Sequence, residues 1–176
     1  MRPALLLLLC LLSWGCSAIP PAPGDDSIRA RLKACLLVGN MACVVDQYLV
    51  LQDIGRMPGW LVAFQNAFSI ANRKAGECER VARTVHEGLV KLGQQPEVLR
   101  FTVQGDTKLL GFNELSNGVL VRNHQVALTG EHVAVKWGEK VIDAYTGLAG
   151  LPLSDYIARL STAANSHVVY EVTQAP

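Results

Sequence analysis

Three side chains with the chemistry of a thiol enzyme occur in order along the chain. Cys78 follows Gly76-Glu77 at the start of a predicted helix, His132 opens a predicted strand, and Asp143 lies on the next strand. The free N–H groups and partial positive charge of a helix N-terminus lower the pKa of a thiol. An imidazole can take the thiol proton, and a carboxylate fixes the orientation of that imidazole. The three residues are therefore a candidate nucleophile, base and orienting acid.

The hairpin predicted between the histidine and the aspartate allows these two residues to meet. Its turn lies at residues 138–139, and pairing continues outward from there one residue at a time. His132, Ala134, Asp143 and Tyr145 then share one face of the sheet, because side chains alternate between faces. His132 and Asp143 are diagonal neighbours, about 7–8 Å apart by backbone, and side chains of this length bridge such a distance.

Two alternatives stay open from the residues alone. A cysteine on a helix also has the pattern of a small buried apolar residue. His124 is a second candidate base, because it too opens a predicted strand, although it lies outside the hairpin. His86 and His167 have the pattern of solvated or core histidines. No His, Cys or carboxylate spacing is typical of a metal site, so we expect neither a metal nor a cofactor.

Helical periodicity comes first along the chain, and the two-residue periodicity of strands follows it. Helices are predicted from about residue 28 to a break at 38–40, and over 41–54, 60–71 and 78–92. Strands are predicted over 98–103, 119–122, 125–128, 132–137, 140–144 and 168–172, with a short helix over 154–160. Residues 113–118 have the composition of a loop. Helices followed by an antiparallel sheet predict an α+β fold.

The first residues have the pattern of an export signal. Arg2 is followed by an apolar run at 4–12 and small residues at 13–15, and the run is too short to span a bilayer. Gly15-Cys16 resembles the bacterial lipobox, in which the cysteine is lipidated and becomes the first mature residue, although Ser13 stands where that motif usually has leucine. We therefore predict a signal peptide at 1–15 and a proline-rich tether at 16–26 behind a lipid anchor on Cys16. Plain secretion is the alternative.

The five cysteines divide according to this export signal. Cys10 lies in the leader and Cys16 is the predicted lipidation site. Cys35 and Cys43 flank the break between the first two helices, so they can face each other and form a disulfide in an oxidising compartment. Cys78 is then the odd thiol, which favours a reactive role for it.

Composition excludes some partners and classes of protein. The chain has 176 residues, of which 50% are hydrophobic and 18% are charged, so it is not a disordered or solvating protein. Lys and Arg number 16 against 15 Asp and Glu, and the leader holds Arg2. After the leader, basic and acidic residues are therefore equal in number. Because a nucleic-acid-binding protein normally has an excess of basic residues, we expect no nucleic-acid partner. The length after the leader suits one globular domain.

Several short motifs around the three candidate residues resemble one family. They are Gly76-x-Cys78-x-x-x-Ala82 before a helix, His132-x-Ala-Val, Val141-x-Asp143-Ala and Gly150-Leu-Pro-Leu-Ser-Asp-Tyr156. This order, over about residues 71–160, resembles the papain-fold toxin domains of bacterial polymorphic toxin systems and is similar to papain-like and transglutaminase-like thiol enzymes. The resemblance implies a papain-like catalytic domain at 71–176, after a helical N-terminal region at 27–70. It also implies the roles of nucleophile for Cys78, base for His132 and orienting acid for Asp143.

The resemblance also implies a function. It suggests a cysteine-dependent amidohydrolase activity: a peptidase, a deamidase of protein glutamine, or an acyl transferase. The lipobox-like Gly15-Cys16 adds that the enzyme is a lipoprotein of the bacterial cell envelope, anchored to the outer membrane. Such a protein would be a toxin in interbacterial competition, with a protein substrate, a cognate immunity protein and a membrane contact through its lipid. Papain has a glutamine before its cysteine as an oxyanion donor; here the nearest amides are Asn72 and Gln65, and the N–H of Cys78 could also serve. The alternative function is a non-enzymatic envelope lipoprotein that binds a protein partner.

Overall fold

Helices come first and antiparallel sheets follow, in a computed structural model that describes residues 25–38, 40–53, 55 and 57–174. The helices are α1 (Asp25–Leu37), α2 (Met41–Asp53), α3 (Gly59–Asn66), α4 (Cys78–Lys91) and α5 (Leu153–Arg159), with a 3-10 turn at Ile70–Asn72. The predicted α+β class is confirmed. The predicted signal peptide, most of the tether, Cys10 and Cys16 lie outside the described residues.

Two antiparallel sheets follow α4. One has the strand order β6-β5-β4-β1-β8 and the other has the order β3-β2-β7. The strands are β1 (Glu97–Gly105), β2 (Leu110–Ser116), β3 (Val119–Ala127), β4 (Glu131–Trp137), β5 (Lys140–Ile142), β6 (Leu151–Pro152), β7 (Leu160–Ser161) and β8 (Ser166–Thr173). No helix within the described residues has the length and apolar character to cross a membrane.

The hairpin of β4 and β5 has the predicted register. Trp137 lies opposite Lys140, and Val135 lies opposite Ile142. The strand ends at Ile142, so Asp143 lies one residue beyond it instead of within it. On its other side β4 pairs with β1, where Phe101 lies opposite His132.

Two predictions for residues 113–128 were wrong: the loop at 113–118, and the break between the strands at 119–122 and 125–128. Residues 113–116 belong to β2 instead of a loop, and 119–127 form one strand, with His124 in its middle instead of at its start. The physical reason is the turn between the two strands. Asn117 and Gly118 both have positive φ, at 50° and 78°, and Asn-Gly is the favoured sequence for a two-residue hairpin turn. This turn forms a hairpin although Asn and Glu have low strand propensity.

The apolar face of α4 packs on one face of the larger sheet. Val81, Val85 and Leu89 are buried in a cluster with Val133 and Val135 of β4. Buried residues of α1, α2 and α3 belong to the same cluster, so the helical region shares its core with the sheet. A disulfide between Cys35 and Cys43 joins α1 to α2. This packing fixes α4, and therefore the position of Cys78 at its first residue.

The packing of α3 on α4 depends on a residue without a side chain. A Cβ added at Gly88 would overlap the ring of buried Phe64, lying 2.7 Å from Cγ and 2.9 Å from Cε2. Gly88→Ala should therefore lower the free energy of unfolding by about 1–3 kcal/mol, because the cost of overpacking exceeds the helix propensity gained. The measurement is urea unfolding. Glu87→Ala, at an exposed neighbour on the same helix, is the control and should change stability by less than about 0.5 kcal/mol. Equal stability of Gly88→Ala and the unaltered protein would contradict this packing.

Candidate active site

Cys78 is the first residue of α4 and is half-buried. The preceding turn contains Gly76 with a φ of 89°, in the left-handed region where a side chain is strained. The backbone N–H groups of Val133 and Glu79 act to lower the pKa of the Cys78 thiol. N–H donors stabilise a thiolate more than a thiol, so this position favours the charged form of the nucleophile.

The loop before Cys78 is tied to the segment after Asp143. Arg73 Nε donates to the carbonyl oxygen of Ala144 over 2.9 Å. Arg80 Nε donates a hydrogen bond to Glu77 Oε2 over 2.7 Å, and Arg80 Nη2 donates one to Asn72 Oδ1. These bonds hold the start of α4 against the end of the β4–β5 hairpin, which brings the thiol to the histidine.

His132 and Asp143 are the two polar residues that the described core buries, with 1% and 2% of their surface exposed. Buried charges are costly unless they are paired and hydrogen-bonded. Asp143 Oδ2 lies 3.4 Å from His132 Nε2, and each of these two atoms has a shorter contact with another residue. The structure therefore brings together Cys78, His132 and Asp143, the three residues singled out from the sequence.

Tyr156 of α5 connects the histidine to the aspartate. Its hydroxyl donates to Asp143 Oδ2 over 2.6 Å and lies 2.8 Å from His132 Nε2. Since the hydroxyl proton goes to the carboxylate, the tyrosine oxygen accepts the N–H of Nε2. This assigns the proton to Nε2 and leaves Nδ1 for the thiol.

The sequence analysis gave Tyr156 no role, although it ends the last motif of the resemblance. Its side chain is fully buried, and its ring packs on Phe101 and Phe112 at 5.3 and 5.4 Å between centroids. A buried tyrosine hydroxyl normally has a hydrogen-bond partner. From the sequence, this rule could have indicated that the Tyr156 hydroxyl has a partner. It does not identify that partner, which depends on how α5 lies on the sheet.

A tight turn fixes the carboxylate of Asp143. Its Oδ1 accepts the backbone N–H groups of Tyr145 at 2.8 Å and Thr146 at 2.9 Å. Burial alone would raise the pKa of Asp143. The hydrogen bond and positive charge of His132, together with hydrogen bonds from Tyr156 and Thr146, outweigh burial and lower that pKa below its ordinary value. The carboxylate is therefore charged at neutral pH and holds its position.

The thiol and the imidazole favour each other's charged form. Burial lowers the pKa of His132, but Asp143 and Cys78 outweigh it and raise the pKa to about 9. Burial raises the pKa of Cys78, but His132 and the backbone N–H groups outweigh it and lower the pKa. Nδ1 of His132 has no hydrogen-bond partner among the described residues, so the thiol is near the ring without a well-aligned bond to it. Such contacts are often loose before substrate binds.

Cys78 lies at the edge of an open cleft of about 290 Å³. Its lining includes several small residues and an ion pair between Arg100 Nη1 and Glu131 Oε2 at 3.0 Å. The other lining residues are Ala75, Gly76, Glu79, Ala127, Leu128, Thr129 and Val133. A cleft of this size beside a nucleophile can admit part of a polypeptide.

The remaining candidates from the sequence lie elsewhere or are already engaged. His124 Nε2 is 2.7 Å from Glu114 Oε2, a separate pair on the smaller sheet. The amide nitrogen of Asn72 donates to the carbonyl oxygens of Asn66 and Ala67, at 2.8 and 3.2 Å. Gln65 is exposed and lines a different groove. Within the described ranges no three His, Cys, Asp or Glu residues are grouped as metal ligands would be.

Comparisons of the chain with protein-family models, with curated proteins and with solved structures found no match. The resemblance to papain-fold toxin domains therefore rests on the motifs quoted above. What this site can do is inferred from the positions and charges of its own residues.

The coupled pKa values predict how the reactivity of Cys78 depends on pH. Because its pKa is lowered, alkylation by iodoacetamide should reach its plateau below the pH at which an ordinary thiol ionises, and His132→Gln should move the midpoint upward. The measurement is the rate of modification of the peptide that contains Cys78, followed by mass spectrometry. His124→Gln, which disrupts the separate pair, should leave the profile unchanged. A profile unaffected by His132→Gln would contradict the ion pair.

Proposed function

We propose that this protein is a cysteine-dependent hydrolase of amide bonds, with Cys78 as nucleophile, His132 as acid and base, and Asp143 as the orienting acid. One observation carries the proposal: the free thiol at the start of a helix adjoins an imidazole that a buried carboxylate holds, at the edge of an open cleft. A purely structural role does not call for a buried charged pair beside a half-exposed thiol.

The first half of the reaction acylates the cysteine. The Cys78 thiolate attacks the amide carbonyl carbon, a C–S bond forms, and the carbonyl electron pair moves to oxygen. The C–N bond then breaks as the His132 imidazolium gives the Nδ1 proton to the leaving amine. A thioester and a neutral imidazole remain.

The second half returns the enzyme to its starting state. Neutral His132 takes a proton from water, which attacks the thioester carbon, and the C–S bond breaks to release the acid and the thiolate. Ammonia is the first product if the amide is a glutamine side chain, and a new N-terminus appears if it is a peptide bond. An amine or hydroxyl in place of water gives acyl transfer.

Asp143 and Tyr156 keep the ring in place through both halves. Nε2 stays bonded to the tyrosine oxygen at 2.8 Å, so the ring cannot turn without losing that contact. Nδ1 then faces the thiol in the first half and the water in the second. The two residues therefore maintain the tautomer that the reaction needs.

The setting we propose for this enzyme is the bacterial envelope, with a papain-like fold, a lipid anchor on Cys16 and use as a toxin that a cognate immunity protein restrains. Support comes from the leader pattern and from the order of motifs around the site. The disulfide between Cys35 and Cys43 supports an oxidising compartment, because such bonds are rare where thiols are kept reduced.

Expression in a bacterium tests the activity and its compartment together. The full chain carries the export signal and the chain without residues 1–15 lacks it, so the two should differ in toxicity according to the compartment of the target. Cys78→Ala should remove toxicity from both forms, because the thiol forms the acyl-enzyme. His86→Gln, outside the site on the same helix, is the control and should remain as toxic as the unaltered protein. Growth is the measurement. Equal toxicity of Cys78→Ala would favour the non-enzymatic alternative.

The purified full chain tests the chemistry without a known substrate. Casein supplies many glutamine and peptide amides, so ammonia and new N-termini are measured separately after incubation with it. Either product should depend on Cys78. Ammonia alone identifies a deamidase and new N-termini identify a peptidase, whereas equal product from Cys78→Ala would refute the assignment.

A further inference from the structure

The hydroxyl of Tyr145 is buried, yet it has no hydrogen-bond partner among the described residues. Its ring is held by aromatic neighbours: Phe112 and His124 lie at 5.4 Å between centroids, and His132 lies at 6.5 Å. A buried polar group without a partner lowers stability, so its retention calls for an explanation. The hydroxyl group therefore has a fixed position and a donor that is not in use.

Tyr145, which carries this hydroxyl, lines a narrow cavity beside the Cys78 thiol. This cavity has a volume of about 10 Å³, and Cys78, His132, Asp143 and Tyr145 are among its lining residues. A space of this size holds about one water molecule or one oxygen atom. Of the residues that line the open cleft or this cavity, Cys78 alone lines both. A carbonyl group that enters by the cleft and is attacked by the sulfur can thus direct its oxygen into the cavity.

The proposed reaction requires a donor for that oxygen. Attack on the amide places a negative charge on the carbonyl oxygen, and hydrogen bonds to this oxyanion account for much of the catalysis in such enzymes. Asn72 also lines the cavity, but the N–H groups of its side-chain amide are already donated to two backbone carbonyl oxygens. Among the residues that line the cavity, the buried polar side-chain atoms without a partner are His132 Nδ1 and the Tyr145 hydroxyl. Nδ1 serves the thiol and the leaving amine in the proposed reaction, so the Tyr145 hydroxyl is the side-chain donor left for the oxyanion.

We propose that the Tyr145 hydroxyl is a catalytic residue that donates a hydrogen bond to the oxyanion formed when Cys78 attacks an amide carbonyl. The inference rests on the proposed function, since it describes the same thioester-forming step. The proton stays on the tyrosine oxygen throughout, so no bond of Tyr145 forms or breaks. The donor needs no release from another partner before it engages, which is the preorganisation that makes such groups effective.

The phenol remains a donor over the working pH range. Burial, followed by the negative charges of Asp143 and Cys78, raises the pKa of Tyr145 above its ordinary value. A phenol with a raised pKa keeps its proton when the thiolate forms beside it. The same charges favour the protonated hydroxyl that the oxyanion needs.

Two reagents that react with the same thiolate by different routes test the inference. p-Nitrophenyl acetate acylates Cys78 through a tetrahedral oxyanion, whereas iodoacetamide alkylates it by direct displacement of iodide, without an oxyanion. In the full-length Tyr145→Phe protein, acylation should fall by about 10²-fold and alkylation should stay the same. Tyr170→Phe, at an exposed tyrosine of β8, is the control and should change neither rate. Both rates are measured on one sample, so that any loss of folded protein cancels in their ratio.

Each result has one meaning. An unchanged ratio of acylation to alkylation in Tyr145→Phe overturns the inference while leaving the thiol mechanism intact. A parallel fall in both rates leaves the ratio unchanged and therefore overturns the inference in the same way. Acylation of the full chain that persists in Cys78→Ala refutes the proposed function itself. The melting temperature of Tyr145→Phe should equal or exceed that of the unaltered protein, since the substitution removes no hydrogen bond within the described chain.

Discussion

The buried pair of Asp143 and His132 constrains the rest of this structure. Two groups that carry charge lie in the core with 2% and 1% of their surfaces exposed, and removing such ions from water costs several kcal/mol each. That cost is offset only if nearly every polar atom is bonded. The carboxylate accepts two backbone N–H groups and one hydroxyl and lies beside the imidazole, so the turn at 143–146 and helix α5 are both required.

The same constraint places the nucleophile. The β4–β5 hairpin positions the pair, and α4 packs its apolar face on β4, so the first residue of that helix reaches the ring. Arg73 then ties the loop before the thiol to Ala144, next to the buried carboxylate. The helix N-terminus, the sheet and the turn therefore converge on one sulfur atom, and the proposed catalysis follows from this convergence. In this account Tyr156 positions the imidazole ring of His132, and Tyr145 donates a hydrogen bond to the oxyanion.

Local patterns predicted the parts of the site that local forces determine. The helix start at Cys78 follows from the apolar spacing of α4, and the hairpin register follows from its two-residue turn, so the meeting of Cys78, His132 and Asp143 was accessible from the sequence. The bridge through Tyr156 was not, because it depends on how a helix distant in sequence docks on the sheet. Nor was the engagement of Asn72 by backbone carbonyls accessible. The β2–β3 hairpin was not predicted, although Asn117-Gly118 is a sequence that favours a two-residue hairpin turn and both residues have positive φ.

The protonation state of His132 tests the central claim most directly. The chain has four histidines, and ¹⁵N-labelling of all four, with His132→Gln to assign the signal, allows each ring to be followed by NMR during a pH titration. The account predicts that both ring nitrogens of His132 carry protons at pH 7.5 and that one proton is lost with a midpoint near the pKa of about 9. A His132 ring that is already neutral at pH 7.5 would contradict the thiolate–imidazolium pair on which the proposed function depends.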